Sequence, residues 1–279
     1  VIPPDPFVVA PQIHAYYDED QEDARLRDDA PHHRLELLRT QEILRRHLPP
    51  APARILDVGG GTGVHAEWLT ADGHTVHVVD PVPLHVERAR HVPGVTADLG
   101  DAHALAAEAA TYDVVLLLGP LYHLLDRAER VTAWREAARV VRPGGLVAGA
   151  AISRWASWHD MFRLRIEDAD FRRYVDGALR DGVHAPEPGR PFFTTAYFHR
   201  PEDLVAEAQE AGLEVAPALA VEGSLWLLRD LGDWLDDGPR QEMLLERLRR
   251  VESEPALLGA SSHLLALGRR PGHRGSPSR

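Results

Sequence analysis

Between Arg54 and Gly63 the chain reads Arg-Ile-Leu-Asp-Val-Gly-Gly-Gly-Thr-Gly. An apolar run ends in an acid and then breaks into glycines. Such a run predicts a buried strand, and Val64 to Ala71 behind it reads as a helix. Strand, tight turn and helix in that order restrict the fold more than any other stretch of the sequence. Glycines at 59, 61 and 63 let the backbone turn sharply and let a ligand approach where a Cβ would stand. Asp57, at the strand end, can hold a ligand's ammonium group or brace the amides of the loop. The spacing is G-x-G-x-G with Val64 three places after Gly61, whereas a dinucleotide-binding loop reads G-x-G-x-x-G.

Downstream, strands and helices alternate. Strands are expected at 74–79, 95–98, 113–118 and 146–152, with helices at 84–91 and 127–141 and a turn at Pro143-Gly144-Gly145. This order predicts an α/β, doubly wound sheet with its ligand site at the carboxyl ends of the first strands. Asp80 and the glycine loop both fall there. Upstream, residues 1–15 are Pro-rich, and 16–48 carry apolar residues at helical spacing until Pro49, Pro50 and Pro52 stop them. After Ser153 the alternation fails. Residues 154–197 are rich in aromatic, His and Arg side chains, with a Gly/Pro loop at 182–191, and read as an inserted helical segment plus loop. A helix at 201–211, a strand at 213–221, a helix at 241–252 and a short strand at 263–268 complete the core. The polar tail 269–279 is expected to be disordered. The organisation expected is therefore a cover (1–52), a core (53–153), an insertion lining a pocket (154–200), a return to the core (201–268) and a tail.

Composition narrows the partners. The 279 residues carry a net charge of −12, which argues against non-specific nucleic-acid binding, since neutralising phosphates needs exposed cations. The chain contains no Cys, so thiolate chemistry is excluded. Nothing at the start reads as a leader and no apolar run is long enough for a bilayer, so a cytoplasmic protein without membrane contact is expected.

The string Asp57-Val-Gly-Gly-Gly-Thr-Gly63, followed by Asp80 after the second strand, Gly100-Asp101-Ala102 after the third and Leu117-Leu-Gly-Pro-Leu-Tyr-His-Leu124 after the fourth, resembles the class I S-adenosylmethionine-dependent methyltransferases. The resemblance implies a Rossmann-like, seven-stranded, mostly parallel sheet with an N-terminal helical cover and a helical insertion after the fifth strand, and S-adenosylmethionine as cofactor. It implies that Asp57, Gly59, Gly61 and Gly63 form the cofactor loop, and that Asp80, followed by Pro81, meets the ribose hydroxyls. It places Asp101 on the adenine amino group, with Asp98 a competitor, and Ala102 at the ring by its backbone. Leu118 and Gly119 would face the methionine part. An N-terminal segment with Tyr16, Tyr17, Arg25 and Arg39 would fold over the site, Tyr17 closing it and Arg39 meeting the methionine carboxylate. The alternative reading of Asp80 is a helix cap, and Asp101 can cap a helix as well as bind.

On the acceptor side, His123 follows the fourth strand and is either a general base or a brace for its loop. Tyr122, Trp155, His159, Tyr197 and His199 are candidates to line an acceptor pocket, and each taken alone can equally be core. No H-x-E or H-E-x-x-H spacing is present, so no catalytic metal is expected. The segments at Ala151-Ile-Ser-Arg154 and Phe193 to Pro201 resemble those of uncharacterised actinobacterial methyltransferases. Methyl transfer to oxygen, nitrogen or carbon of a small molecule, in secondary metabolism for example, is the leading function. An RNA or protein methyltransferase is disfavoured by the acidic charge and the missing N-P-P-Y-type string. A non-methylating cofactor binder, such as a regulator or cyclase, is the third possibility.

Overall fold

A computed structural model describes residues 30–186 and 193–272. Its centre is a sheet of five parallel strands: β1 (Arg54–Val58), β2 (Thr75–Asp80), β3 (Val95–Leu99), β4 (Tyr112–Leu117) and β5 (Val141–Ile152). The spatial order is β3-β2-β1-β4-β5, so the chain reverses direction across the sheet between β1 and β4. A final strand, β10 (His263–Arg269), adds antiparallel to β5 and carries the short edge strands β8 (Glu214–Val215) and β9 (Leu219–Ala220). The mostly parallel, doubly wound sheet expected from the sequence is present, with eight strands.

Period-two alternation gives the sheet two apolar faces. Leu56, Val58, Val115, Leu117, Val147 and Ala266 pack with Trp134 and Ala137 of α4 (Arg127–Val140) and Leu204 and Ala208 of α7 (Pro201–Glu210). Ile55, Val76, Val78, Val114, Leu116 and Leu265 point the other way. They meet Ile43 and Leu44 of α1 (Pro31–His47), Leu69 of α2 (Val64–Ala71) and Val86 of α3 (Pro83–Ala89). The inserted segment forms α5 (Ala156–Arg163), α6 (Ala169–Asp181) and a two-stranded ribbon, β6 (Val183–His184) with β7 (Ala196–Tyr197). Helices α8 (Leu231–Asp236), α9 (Gly238–Val251) and α10 (Pro255–Leu258) precede β10.

Three local expectations need correction. The single strand at 213–221 is two short strands, because Pro217 has no N–H for the ladder. Pro143-Gly144-Gly145 lies within β5 rather than before it. Gly144 takes φ +78° and donates its N–H to Arg270 O at 2.8 Å, while Arg270 N returns a bond to Gly145 O. That pairing, with the Arg270 guanidinium on Arg139 O and Val141 O, orders the first residues of the segment expected to be a disordered tail. The remainder of that tail lies outside the described residues.

One buried ionic cluster seats the inserted segment on the core. Arg130 of α4 and Glu207 of α7 are both buried and paired at 2.8 Å. The Arg130 guanidinium also donates to Leu124 O and Leu125 O, and its Cζ sits 3.7 Å from the Tyr197 ring centroid. His199 Nε2 meets Glu207 Oε2 at 3.3 Å. Tyr197 Oη accepts from Arg154 at 3.1 Å. Removing one partner leaves an uncompensated charge in a dry site. Glu207→Ala is therefore expected to cost about 3–5 kcal/mol, read as a lowered urea midpoint. The paired replacement Arg130→Met with Glu207→Leu should recover most of that loss.

Candidate active site

The carboxyl ends of β1, β2 and β4 converge on the glycine loop. Gly59, Gly61 and Gly63 all take positive φ, at +66°, +56° and +92°, which is why the turn needs glycine. A Cβ on Gly61 would meet nothing within 4 Å, so the loop backbone at that point borders open space. A Cβ on Gly119 would lie 2.8 Å from Gly59 O, and one on Gly59 would lie 2.9 Å from Pro120 Cδ. The loops after β1 and β4 thus touch backbone to backbone, and glycine is required on both.

Two buried carboxylates sit under this loop with opposite electrostatics. Asp80 accepts from Gly61 N at 2.9 Å, from Val82 N at 2.9 Å and from His85 Nδ1 at 3.0 Å. It braces the loop and holds the residue that leads into α3. His85 has no signal in the sequence that would single it out; only the fold brings it to Asp80. Asp57 is fully buried, and neither of its oxygens has a hydrogen-bond partner among the described residues. Burial, with the Asp80 charge beside it, pushes its pKa up to about 7. The sequence left open whether Asp57 braces loop amides or awaits a ligand; the bracing is done by Asp80.

The other cofactor candidates are distributed as follows. Asp101 Oδ1 accepts from His103 N at 2.6 Å and faces His103 Nδ1 at 3.3 Å. Its half-burial would raise its pKa, but the hydrogen bonds from His103 outweigh this and hold it below the usual carboxylate value. Ala102 is buried beside it, and Pro81 follows Asp80 into α3. Leu118 and Gly119 lead from β4 into a 3-10 turn over Pro120–Tyr122. Arg39 does not reach this region. Its buried guanidinium donates to Val221 O at 2.9 Å and to Glu252 Oε2 at 2.7 Å, and it also pairs with Glu42. Tyr16, Tyr17 and Arg25 lie outside the described residues.

Beyond the β4 turn lies a cavity of about 300 Å³. Tyr122, Ile152, Phe193, Phe198 and Trp226 give it apolar and aromatic lining, and Glu36, Asp160, His184, Glu222 and His263 give it polar lining. Tyr122 joins the two regions, because its hydroxyl is 3.9 Å from where a Cβ on Gly119 would stand. His123 is hydrogen-bonded to the backbone of Thr195 and packs on the Tyr122 and Phe193 rings, at 4.6 and 6.1 Å between centroids. Burial pulls its pKa down to about 4 against the attraction of Asp80. A neutral imidazole with so weak an affinity for protons is better suited to bracing than to general base work.

Four acceptor candidates stand elsewhere. Trp155 packs on Gly259, where a Cβ would come within 2.9 Å of its ring. His159 contacts Gly259 O at 3.2 Å. Tyr197 and His199 belong to the Arg130–Glu207 cluster, and His199 is fully buried. The insertion does line the cavity, but through other residues, among them Asp160, Phe171, His184, Phe193 and Phe198. Sequence reasoning missed Glu36, Glu222 and His263, whose ligand atoms lie within 4.8 Å of one another and could also hold a metal ion. These three come from distant parts of the chain, so no spacing pattern could have revealed them.

Comparison with known proteins places these features in a family. Residues 55–145 match the methyltransferase domain model. A ubiquinone biosynthesis O-methyltransferase from Methylobacterium nodulans is 32% identical over 67% of this chain and 72% of its own length. One of the same name from Methylocella silvestris is 36% identical over 58% of the chain, which spans 61% of that relative's length. A crystal structure of an S-adenosylmethionine-dependent methyltransferase from Methanosarcina mazei shares the fold at a TM-score of 0.58, with 16% identity over 83% of this chain and 98% of its own. The chain belongs to the class I S-adenosylmethionine-dependent methyltransferase family, and the family's cofactor is S-adenosylmethionine.

The residues present fit that cofactor. An unpartnered buried carboxylate at Asp57 answers an ammonium group, and the bare backbone at Gly61 admits a ligand with no side chain in the way. A cationic group beside Asp57 favours its ionised form, so binding should release a proton below pH 7. Affinity for S-adenosylhomocysteine is expected to rise with pH up to about 7 and then level off, with buffer-dependent calorimetric heats on the acid side. Asp57→Asn should remove that pH dependence. The same raised pKa means that the ligand-free fold loses stability as pH rises from 3.8 to about 7 and levels off above it, so Asp57→Asn should melt higher than wild type at pH 8.

Proposed function

We propose that the chain transfers a methyl group from S-adenosylmethionine to a small planar acceptor bound in the Tyr122-lined cavity. The observation that carries this reading is the junction itself: the glycine loop with its unpartnered Asp57 meets the β4 turn, and the next residues of that turn wall the cavity. The cofactor supplies an electrophilic methyl carbon. The protein's part is to hold both molecules in line and keep water out. Asp57, the Gly59–Gly63 loop, Asp80, Asp101 and the Leu118–Gly119 backbone would hold the cofactor. His123, fixed between Tyr122, Phe193 and Thr195, would shape the passage between the two sites.

Aromatic lining suits a ring-bearing acceptor. The relatives are named O-methyltransferases, which favours oxygen as the atom methylated. The net charge of −12 speaks against a nucleic-acid substrate. Incubation with isotopically labelled cofactor and a panel of phenols, aromatic amines and carboxylic acids should give a methyl mass shift on at least one phenol; a panel that stays unmodified while the cofactor binds would instead favour a non-methylating binder.

Gly61 offers a sharper test of the cradle. A side chain there finds room in the protein but sits at positive φ, costing about 1–2 kcal/mol. Gly61→Val should therefore fold with a modestly reduced melting temperature and lose measurable S-adenosylhomocysteine binding. Retained binding would place the cofactor elsewhere.

A further inference from the structure

Resting on that reading, we propose that His103 is a positioning residue for the adenine of the cofactor: it turns the Asp101 carboxylate toward the ring's amino group and so sets a preference for a 6-amino over a 6-oxo purine. The loop that carries both residues leaves β3 at the carboxyl edge of the sheet, where such sheets present their ligands. Its backbone is pinned on either side of the pair. Gly100 N donates to Asp80 O at 3.2 Å, Leu105 N donates to Glu136 Oε2 at 2.9 Å, and Leu105 O accepts from Arg139 at 2.7 Å. Between those anchors, the direction of the Asp101 side chain is decided within the turn itself.

His103 holds Asp101 in two ways. Its amide donates to Oδ1 at 2.6 Å, closing a turn in which the side-chain oxygen stands in for a backbone carbonyl, and its ring Nδ1 lies 3.3 Å from the same oxygen. Ala104 adds a backbone hydrogen bond to the carboxylate. With its pKa held below the usual carboxylate value, Asp101 can only accept at neutral pH, so Nδ1 carries a hydrogen. A carboxylate has about four acceptor sites, and these donors leave room for one more N–H. Asp98, the rival acid, is exposed and stands between Arg90 and His77, at 3.3 and 3.6 Å.

Charge reinforces this geometry. The hydrogen bond with Asp101 raises the pKa of His103 against the lowering effect of burial, and the charges of Asp101 and of Glu129 in the first turn of α4 add to the rise. The imidazolium in turn keeps Asp101 an acceptor. Adenine offers such a carboxylate an amino N–H. A 6-oxo purine offers it a carbonyl oxygen, which it repels. Replacing the ring keeps the His103 amide and the turn it closes, but takes away one donor and the positive charge. The carboxylate is then less firmly aimed and discriminates less.

Calorimetry and NMR on the full chain test this, with S-adenosylhomocysteine and S-inosylhomocysteine as probes. Binding of S-adenosylhomocysteine by the wild type reports on the parent reading alone, and its absence overturns that reading. The ratio of the two affinities reports on His103. Wild type should favour the adenine form by about 10–100-fold. Asp101→Ala should bring the ratio close to one, and Asp98→Ala should leave it unchanged. His103→Ala should lower it by about 3–10-fold, and His103→Gln, whose amide can donate to the same oxygen, should restore part of it. The ratio should also fall as pH rises past the pKa of His103, and stay flat in His103→Gln. In imidazole-detected NMR the His103 ring should titrate above an ordinary histidine, return toward it in Asp101→Asn, and shift on adding S-adenosylhomocysteine. Normal S-adenosylhomocysteine binding with an unchanged ratio in His103→Ala, or with a preference that survives Asp101→Ala, overturns the inference and leaves the parent reading standing. Should His103→Ala fail to fold, the ring decides: an ordinary titration in wild type overturns the inference as well.

Discussion

Asp80 is the point on which the cofactor half of the molecule depends. Its carboxylate receives the Gly61 amide from the loop after β1, the Val82 amide at the start of α3, and the His85 ring one turn further on. The loop after β1 and the first turn of α3 are both tied to one side chain at the end of β2. The glycine loop cannot hold its left-handed turns by packing, since it has no side chains apart from Thr62 to pack. An acid directly beneath it supplies the restraint instead. Hydrogen bonds to a charged group are each stronger than neutral ones, by about 1.5–3 against roughly 1 kcal/mol.

That arrangement has a consequence for its neighbour. Buried beside the engaged Asp80 carboxylate, Asp57 takes up a proton far more readily than a carboxyl in water. One acid organises the site and the other is left ready for it. Electrostatic readiness of this kind costs stability in the free protein, and a cationic ligand relieves it. Burial pushes both Asp57 and His123 toward their neutral forms, one pKa upward and one downward, with the Asp80 charge acting on each.

What the sequence made legible follows a physical divide. Strands β1 to β5 and helices α2 to α4 were read within one to three residues, apart from the start of β5, because burial on both faces imposes apolar runs and glycines mark the turns. The cofactor loop was legible for the same reason: positive φ at 59, 61 and 63 demands glycine, and glycine is visible in a sequence. The acceptor half was not. Tyr197 and His199 look like pocket residues from composition, yet a buried Arg130 and Glu207, 77 positions apart, claim them. Nothing local distinguishes a histidine that lines a cavity from one that neutralises a buried acid. Glu222 and His263 are 41 residues apart and meet only because β10 folds back along β5.

Arg39 shows how the two halves are linked. The resemblance put it on the methionine carboxylate, but its guanidinium instead fastens α1 to Val221 O and to Glu252 at the end of α9. Val221 is the residue before Glu222, and Glu36 lies one turn before Arg39 on the same helix. The bond from Arg39 therefore fixes the distance between the helix that carries Glu36 and the loop that carries Glu222. Through the backbone of Val221, Arg39 thus helps to assemble the polar wall of the cavity. The order of construction follows from this. The parallel sheet and the positive φ of its glycines set the loop after β1 by local rules. The polar wall of the cavity is set by long-range contacts from α1, the end of α9 and the last strand. Local pattern thus reveals the glycine loop, while the cavity wall around His263 is assembled by contacts on which sequence pattern alone has least to say.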